Sequence, residues 1–485
     1  MIDNPTATVG SSITNLVKTI VGAGLFAIPF AFKNDGVAVG LLLIFLAAVT
    51  SSFGLILLVK CSKTLINPRN SSFFTICMLT YPSLAPLFDL AMVVQCFGVG
   101  LSYLVLVGDF FPDLFGGERK YWILLSAILV VPLCCLKKLD NLKYSSIVGV
   151  IALLYLSLLI GFRYLTDVAF APEISFERGE ISWFKVYDYK GLLSTFSIII
   201  FAYVGAMNIF TIVNELQDNS MTNVRKVVDS SILISTILFL FVGLFGYLTF
   251  GSLTMGNILL NYDSDSLAIG IGKFCLAMML ILTFPLLFHP LRTAINNIVV
   301  WFIIKFEKSS LTPEISARDS EASNYVTAET HTSRPINLII NDDEVNDCEE
   351  LNEDLLDSNN VIYQEHGHEE EPPKGGLNGV EHDVPFPETR FYIITALLLV
   401  SMYAMALNVK SFALVLSLVG ATGSTSISFI LPGLFGYKLI GTDALAIGHT
   451  MTKEDRLYRR LSLLLIYFGF AVMFLSLYVT LKYQQ

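Results

Sequence analysis

The first apolar stretch of the chain is long enough to cross a bilayer and is interrupted in its middle. It reads Ser12-Ile-Thr-Asn-Leu-Val-Lys18-Thr19-Ile-Val-Gly22-Ala23-Gly24-Leu-Phe-Ala-Ile-Pro29-Phe30. In hydrocarbon every backbone N–H and C=O needs a partner. Gly-Ala-Gly weakens a helix, and Pro29 lacks the amide that would bond back to Leu25. Such an interruption is tolerated only where it lines a polar cavity. A discontinuous helix at mid-membrane is the sequence pointer to a carrier's binding site.

Ten further apolar runs follow, giving eleven in all: 12–31, 37–59, 85–110, 121–136, 145–166, 191–213, 228–250, 266–288, 391–408, 411–435 and 461–481. The predicted fold is an all-α integral membrane protein. Composition agrees: 54% of the 485 residues are hydrophobic and 15% charged, against about 25% charged in soluble domains. Stretch 291–304 is apolar too, but Arg292, Asn296 and Asn297 make it read as a continuation along the membrane surface. No basic residue precedes the first run, which is a full span, so it reads as a signal anchor rather than a cleaved signal.

The acidic balance is local. Segment 306–389 holds 21 acidic and 4 basic residues, a net −17, whereas the whole chain carries −10, leaving +7 for the membrane part. Rich in Asn, Ser, Glu and Asp and without a sustained apolar period, it reads as a disordered loop. It separates eight helices in 1–305 from three in 390–485. His366 and His368 are a weak metal pattern, and no EF-hand spacing is present. With the N-terminus cytosolic, short inside loops hold thirteen Lys and Arg against nine outside. That bias puts the N-terminus and the acidic loop in the cytosol and the C-terminus on the far side. None of the seven cysteines then falls in an outside loop, so no disulfide-held domain is expected. The sequon at Asn70 is cytosolic.

Five spans after the first interruption comes a second. Segment 191–213 carries Tyr203-Val204-Gly205-Ala206, with Asn208 beyond it. Paired interruptions in corresponding positions indicate inverted repeats of five helices, although small-residue pairs also serve as helix contacts. Amides freed at the positive end of a half-helix suit a carboxylate, and freed carbonyls suit an ammonium. The carboxylate is assigned to Gly22, Ala23 and Gly24 with Thr19 nearby. The ammonium is assigned to carbonyls around Ala202, Tyr203 and Val204, with Gly205 also counted in the substrate site. Together these suit a zwitterion, and no side chain there matches a charged substrate side chain, which favours neutral L-amino acids.

Ionisable groups within spans are functional candidates by default. Lys18 lies one turn before Gly22, and an ammonium taken out of water can give up its proton near neutral pH. Snorkelling to the surface is its alternative. Glu215 closes the sixth span as a proton acceptor or a solvated helix-end acid. His289, the one histidine in a span, titrates in a suitable range, with a packing histidine as the rival reading. Asp89 and Asp109 read as interfacial. Gln95, Ser102 and Tyr103 share the third span, with Tyr103 placed to close over substrate. Gly420, Thr422, Gly423, Ser424, Thr425 and Ser426 make the tenth span slim and polar.

These motifs resemble a known family. Val21–Phe32 is similar to the opening signature of the amino acid/auxin permease family, Asn214-Glu215-Leu216 to the end of its sixth helix, and Thr283–Arg292 to its eighth. Ser12–Phe32, Lys60–Trp122, Gly191–Phe201 and Ser411–Leu439 resemble its fungal vacuolar members. The resemblance implies an eleven-helix, LeuT-type 5+5 fold, the vacuolar membrane, and proton-driven export of neutral amino acids to the cytosol. Two departures stand out. Sodium-coupled relatives carry an asparagine where this chain has Lys18, while their helix-eight threonine survives as Thr283. Asn208 and Thr211 replace a frequent histidine and proline.

No Walker loop follows a strand and no zinc spacing appears, so neither ATP drive, an enzyme nor a resident cofactor is expected. The aromatics fit packing and interfacial belts rather than a nucleic-acid surface. The expected partners are a neutral amino acid, protons and the lipid bilayer. A plasma-membrane, sodium-coupled importer and a non-transporting sensor are the rivals.

Overall fold

The computed structural model describes residues 7–65, 68–135, 143–170, 177–186, 191–262, 266–325, 386–442 and 451–483. Thr8 opens the first helix, α1 (Val9–Ile20), its hydroxyl accepting from Ser11 N at 3.2 Å. A 3₁₀ turn, Ala23–Ala27, leads into α2 (Ile28–Asp35). Pro29 sits in the first turn of α2, where a missing amide costs nothing. The chain therefore bends upstream of the proline, and the two halves meet at 48°.

Then come α3 (Val37–Ser62), a short α4 (Phe73–Thr80), α5 (Ala85–Phe115), α6 (Arg119–Cys134) and α7 (Lys143–Tyr164). The sixth span is again two pieces, α8 (Gly191–Ala202) and α9 (Ala206–Glu215). After them run α10 (Met221–Phe250), α11 (Leu267–Tyr325) and α12 (Glu388–Asn408). The tenth span joins α13 (Phe412–Val419) to α14 (Leu431–Leu439) through two π-turns, Gly420–Ser424 and Ser426–Ile430; α15 (Lys453–Tyr483) closes the chain. Among the described residues the β-structure is one isolated parallel bridge, Ala7 to Leu216.

Nine of these stretches are long and apolar enough to cross a membrane, and the bent pair around Gly22 makes a tenth. The remaining expected segment is α6, whose 16 residues reach about 24 Å. Phe45, Ile128, Leu158, Tyr467 and Phe474 point outward, an apolar surface that needs lipid around it. The α8–α9 span is far more enclosed than α15, with 83% of its most apolar stretch buried against 28%.

Small residues let the tenth span press into its neighbours. At Gly420 any Cβ would run into the Ser197 carbonyl of α8, and at Gly423 it would stand 2.8 Å from Gln95 N of α5.

Stretch 291–304 departs from the expectation. It continues α11 without a break, and Arg292 and Asn296 within it are buried rather than at the surface. The Arg292 guanidinium lies 3.7 Å from the Phe391 ring centre and donates to Cys134 O at 3.0 Å, the last residue of α6. A cation on terminal helix carbonyls is favourable, which is why a charged residue enters the bundle here. Of segment 306–389, the backbone is helical to Tyr325. The tracts 341–347 and 369–373, with His366 and His368, lie outside the described residues.

Candidate functional site

The two interruptions stand against each other. Gly22 leaves helical geometry at φ −115°, ψ −153°. The 3₁₀ turn begins with Leu25 N–H bonded to Gly22 O at 3.2 Å. The amides of Ala23 and Gly24 precede that bond, as the opening amides of any helix do. In the sixth span, the last turn of α8 closes with Tyr203 N–H to Ile199 O at 3.2 Å and Val204 N–H to Phe201 O at 3.3 Å. Gly205 caps α9, so the carbonyls of 202–204 fall between the two helices.

Gly24 makes the meeting possible. A Cβ there would stand 3.1 Å from Ala202 Cα and 3.3 Å from Phe201 Cδ1. A partly positive helix start and a partly negative helix end thus share one site.

A cavity of about 540 Å³ opens at this junction. Its wall includes Lys18, Thr19, Gly22, Ala23 and Gly24 from the first span, and Ala202, Val204, Asn208 and Glu215 from the sixth. Gln95 and Tyr103 of α5 and Thr283 of α11 add polar groups, while Met92, Val99, Met207, Met279 and Leu287 make the rest apolar. Asn208 Nδ2 donates to Thr19 Oγ1 at 3.1 Å, tying the two spans across the cavity. Asn15, Thr211 and Glu215 are exposed and form the mouth. No residue of α2 lines the cavity; on that side Phe26, Phe32 and Tyr247 are packed tight. The cavity therefore opens toward the face that bears the N-terminus.

Two expected residues, and the side chain of a third, lie elsewhere. The Tyr203 side chain is wholly buried: its hydroxyl meets Thr236 Oγ1 at 2.7 Å and its ring packs edge-on against Phe239. It anchors the break to α10 rather than facing the cavity. Gly205 is turned toward the apolar face of α1, where a Cβ would meet Ile20 Cγ1 at 3.0 Å and Leu16 Cδ1 at 3.1 Å. His289 is not part of the wall; Met279, Thr283, Leu286, Leu287 and Pro290 are. Those positions recur at helical spacing and form one stripe, and 289 is off it. Asp89 lines a separate cavity of about 30 Å³ with Phe73, Cys77 and Phe88, room for water but not for an amino acid. Asp109 is ion-paired to Arg119 at 3.0 Å.

Two buried charges were not singled out by the sequence. Asp35, at the end of α2, is fully buried and accepts from Thr195 Oγ1 of α8 at 2.8 Å to each oxygen. Lys273, also fully buried, pairs with Asp113 at 2.5 Å and donates to Tyr262 O at 2.8 Å. The signal for Asp35 was an acid between two predicted spans, and that for Lys273 a lysine inside the predicted span 266–288.

Below the mouth, the end of α9 is fastened. Ala7 N donates to Glu215 O at 3.2 Å, and Gln217 N to Ala7 O at 2.9 Å. Arg69 donates to Leu216 O at 3.2 Å and Gln217 O at 3.0 Å, and Lys63 reaches Asn219. Desolvation at that contact, reinforced by the Arg69 charge and opposed by Asp218, holds the Lys63 ammonium below the usual lysine range.

A membrane bundle with two interrupted spans facing a cavity has the architecture of a transporter. The family described as transmembrane amino acid transporter protein matches residues 5–482, and the chain belongs to it. It is 58% identical over 481 residues to vacuolar amino acid transporter 7 of Saccharomyces cerevisiae, covering 97% of each chain. It is 33% identical to vacuolar amino acid transporter 5 of the same yeast, again over 97% of each. Among solved structures it is similar to MhsT in complex with L-phenylalanine, with TM-score 0.46 and 14% identity, covering 95% of this chain and 98% of that one. The protein is thus a multi-pass amino acid transporter, not an enzyme.

Proposed function

We propose that the protein exports neutral amino acids from the vacuole to the cytosol, driven by protons. The observation that carries this reading is the junction at Gly24 and Ala202, where a helix start and a helix end meet on one cavity wall. The substrate carboxylate takes the amides of Gly22, Ala23 and Gly24, with Thr19 beside them. The α-ammonium takes the carbonyls around Ala202 and Val204. A zwitterion is neutralised at both ends by backbone dipoles, without a side-chain charge.

Among the described residues, Lys18 is the one cationic side chain on the cavity wall and Glu215 the one acid. Lys18 carries the coupled proton: with substrate bound, its charge is offset by the substrate carboxylate and the loaded cavity can close, whereas without substrate a charged Lys18 is costly in a site sealed from water, so the empty carrier returns with Lys18 neutral. Glu215 at the mouth accepts the proton as the cavity opens. A lysine that shares the cavity wall with Thr283 also disfavours a sodium ion there when it is charged. The 58% identity to a vacuolar transporter supports the vacuolar membrane, and the open cavity on the N-terminal face is then the cytosol-facing conformation. Alternating access is rocking of the broken spans to expose the other side.

The test uses purified protein in liposomes preloaded with labelled amino acids, without sodium. Efflux of neutral species that accelerates when protons run outward with them supports proton symport. Binding without flux in any gradient would move a sensor into first place.

A further inference from the structure

Gln95 lies on α5 with its side chain against the cavity, 1% exposed to solvent. Its Oε1 accepts a hydrogen bond from Ser424 Oγ at 2.8 Å. Ser424 is itself fully buried in the first π-turn of the tenth span. The neighbouring Gly423 presses on the same glutamine: a Cβ there would stand 2.9 Å from Gln95 Cα and 3.0 Å from its Oε1. The carboxamide oxygen is therefore held against the π-turn. Gln95 lines the cavity, and its nitrogen, with two hydrogens, is not engaged by this bond to Ser424.

Many of the residues that share the wall with Gln95 carry no strong acceptor. Met92 and Val99 flank Gln95 on the same face of α5, and Phe201 and Met279 come from neighbouring helices. These side chains are apolar or at best weak acceptors. A donor covered by a ligand that gives it no acceptor pays its full desolvation cost, whereas a matched one does not. Sites built around a buried donor discriminate strongly against isosteres that lack the partner. The carboxamide carries no charge, so it gives no compensation to a charged side chain.

We propose that Gln95, oriented by Ser424, is a specificity-determining residue that selects neutral amino acids whose side chain presents a hydrogen-bond acceptor. Aliphatic side chains of the same size are discriminated against. Ser424 is a positioning residue that acts through Gln95. The assignment rests on the transport reading above and narrows its substrate class.

Asparagine and leucine are close in shape, and asparagine offers a carbonyl acceptor, with an amide donor beside it, where leucine offers methyl groups. Their counterflow in proteoliposomes needs no proton gradient, so it separates selectivity from coupling. In the wild-type protein asparagine is expected to exceed leucine about tenfold. Gln95→Met, which keeps the length of the side chain, is expected to bring the two within about twofold, and Ser424→Ala to lower the ratio part of the way. A wild-type protein that moves leucine as well as asparagine overturns the assignment without any variant. So does a Gln95→Met protein that keeps the wild-type ratio. If the wild type moves neither these two nor any other neutral amino acid, the transport reading falls and the assignment falls with it.

Discussion

Gly24 of the first span and Ala202 of the sixth are in backbone contact, so close that a Cβ on Gly24 would lie 3.1 Å from Ala202 Cα and 3.2 Å from its Cβ. The contact sets the distance between the helix start offered to a carboxylate and the helix end offered to an ammonium. A single methyl at position 24 must push the two breaks apart by a few tenths of an ångström. A branched side chain must push them further and also fill the cavity wall. Overpacking of this kind costs about 1–3 kcal/mol. Gly24→Ala is expected to lower amino acid flux about tenfold and Gly24→Val to abolish it, with both proteins reaching the membrane. Flux per unit of reconstituted protein is the measurement; a fully active Gly24→Val would separate the contact from transport.

Much of this contact was legible in the sequence, and the reason is specific. Gly22-Ala23-Gly24 and Pro29 break a helix by local rules, so the position of the first interruption needs no tertiary information. The second interruption was found through its correspondence with the first. What the sequence did not carry was rotation about the helix axis. Tyr203 and Gly205 flank a residue on the cavity wall, yet Tyr203 turns to Thr236 and Gly205 to Leu16. His289 is one residue from Pro290 and misses the cavity that Pro290 lines. A residue's neighbours along the chain say little about which way an irregular segment faces. Arg292 looked like a surface residue because its partners, Phe391 and Cys134, come from distant parts of the chain.

The buried carboxylate of Asp35 gives a prediction about stability rather than transport. Thr195 supplies a hydroxyl to both of its oxygens at 2.8 Å. Valine has the shape of threonine without the donor, so Thr195→Val leaves packing intact and removes the bond. The loss is expected to be about 1–3 kcal/mol, read as a lower apparent melting temperature in detergent. Because Thr195 is not on the cavity wall, amino acid affinity in the surviving protein should match the wild type.

Arg69 offers a test of how the mouth moves. Its guanidinium holds the carbonyls of Leu216 and Gln217, beside the bridge from Ala7 to Leu216. Arg69→Met removes these charge-assisted bonds, worth about 1.5–3 kcal/mol each, without touching the cavity. The expected outcome is a several-fold change in transport rate with amino acid binding affinity unchanged. Equal changes in both would place Arg69 in substrate binding instead.

Asn208 and Thr19 join the two spans through one hydrogen bond at 3.1 Å. Asn208→Ala removes about 1 kcal/mol of that link, so affinity for amino acid should fall about fivefold. Equilibrium binding to purified protein checks this; unchanged affinity would detach the bond from substrate binding.

The most direct measurement follows protons and amino acid together. Wild-type protein is sealed in sodium-free liposomes that enclose a pH-sensitive dye, and a neutral amino acid is added outside with no pH gradient imposed. Symport predicts that the interior acidifies as amino acid enters, and that the acidification is lost when Lys18 is replaced by alanine. Amino acid entry with no movement of protons in the wild type would contradict proton coupling through this cavity.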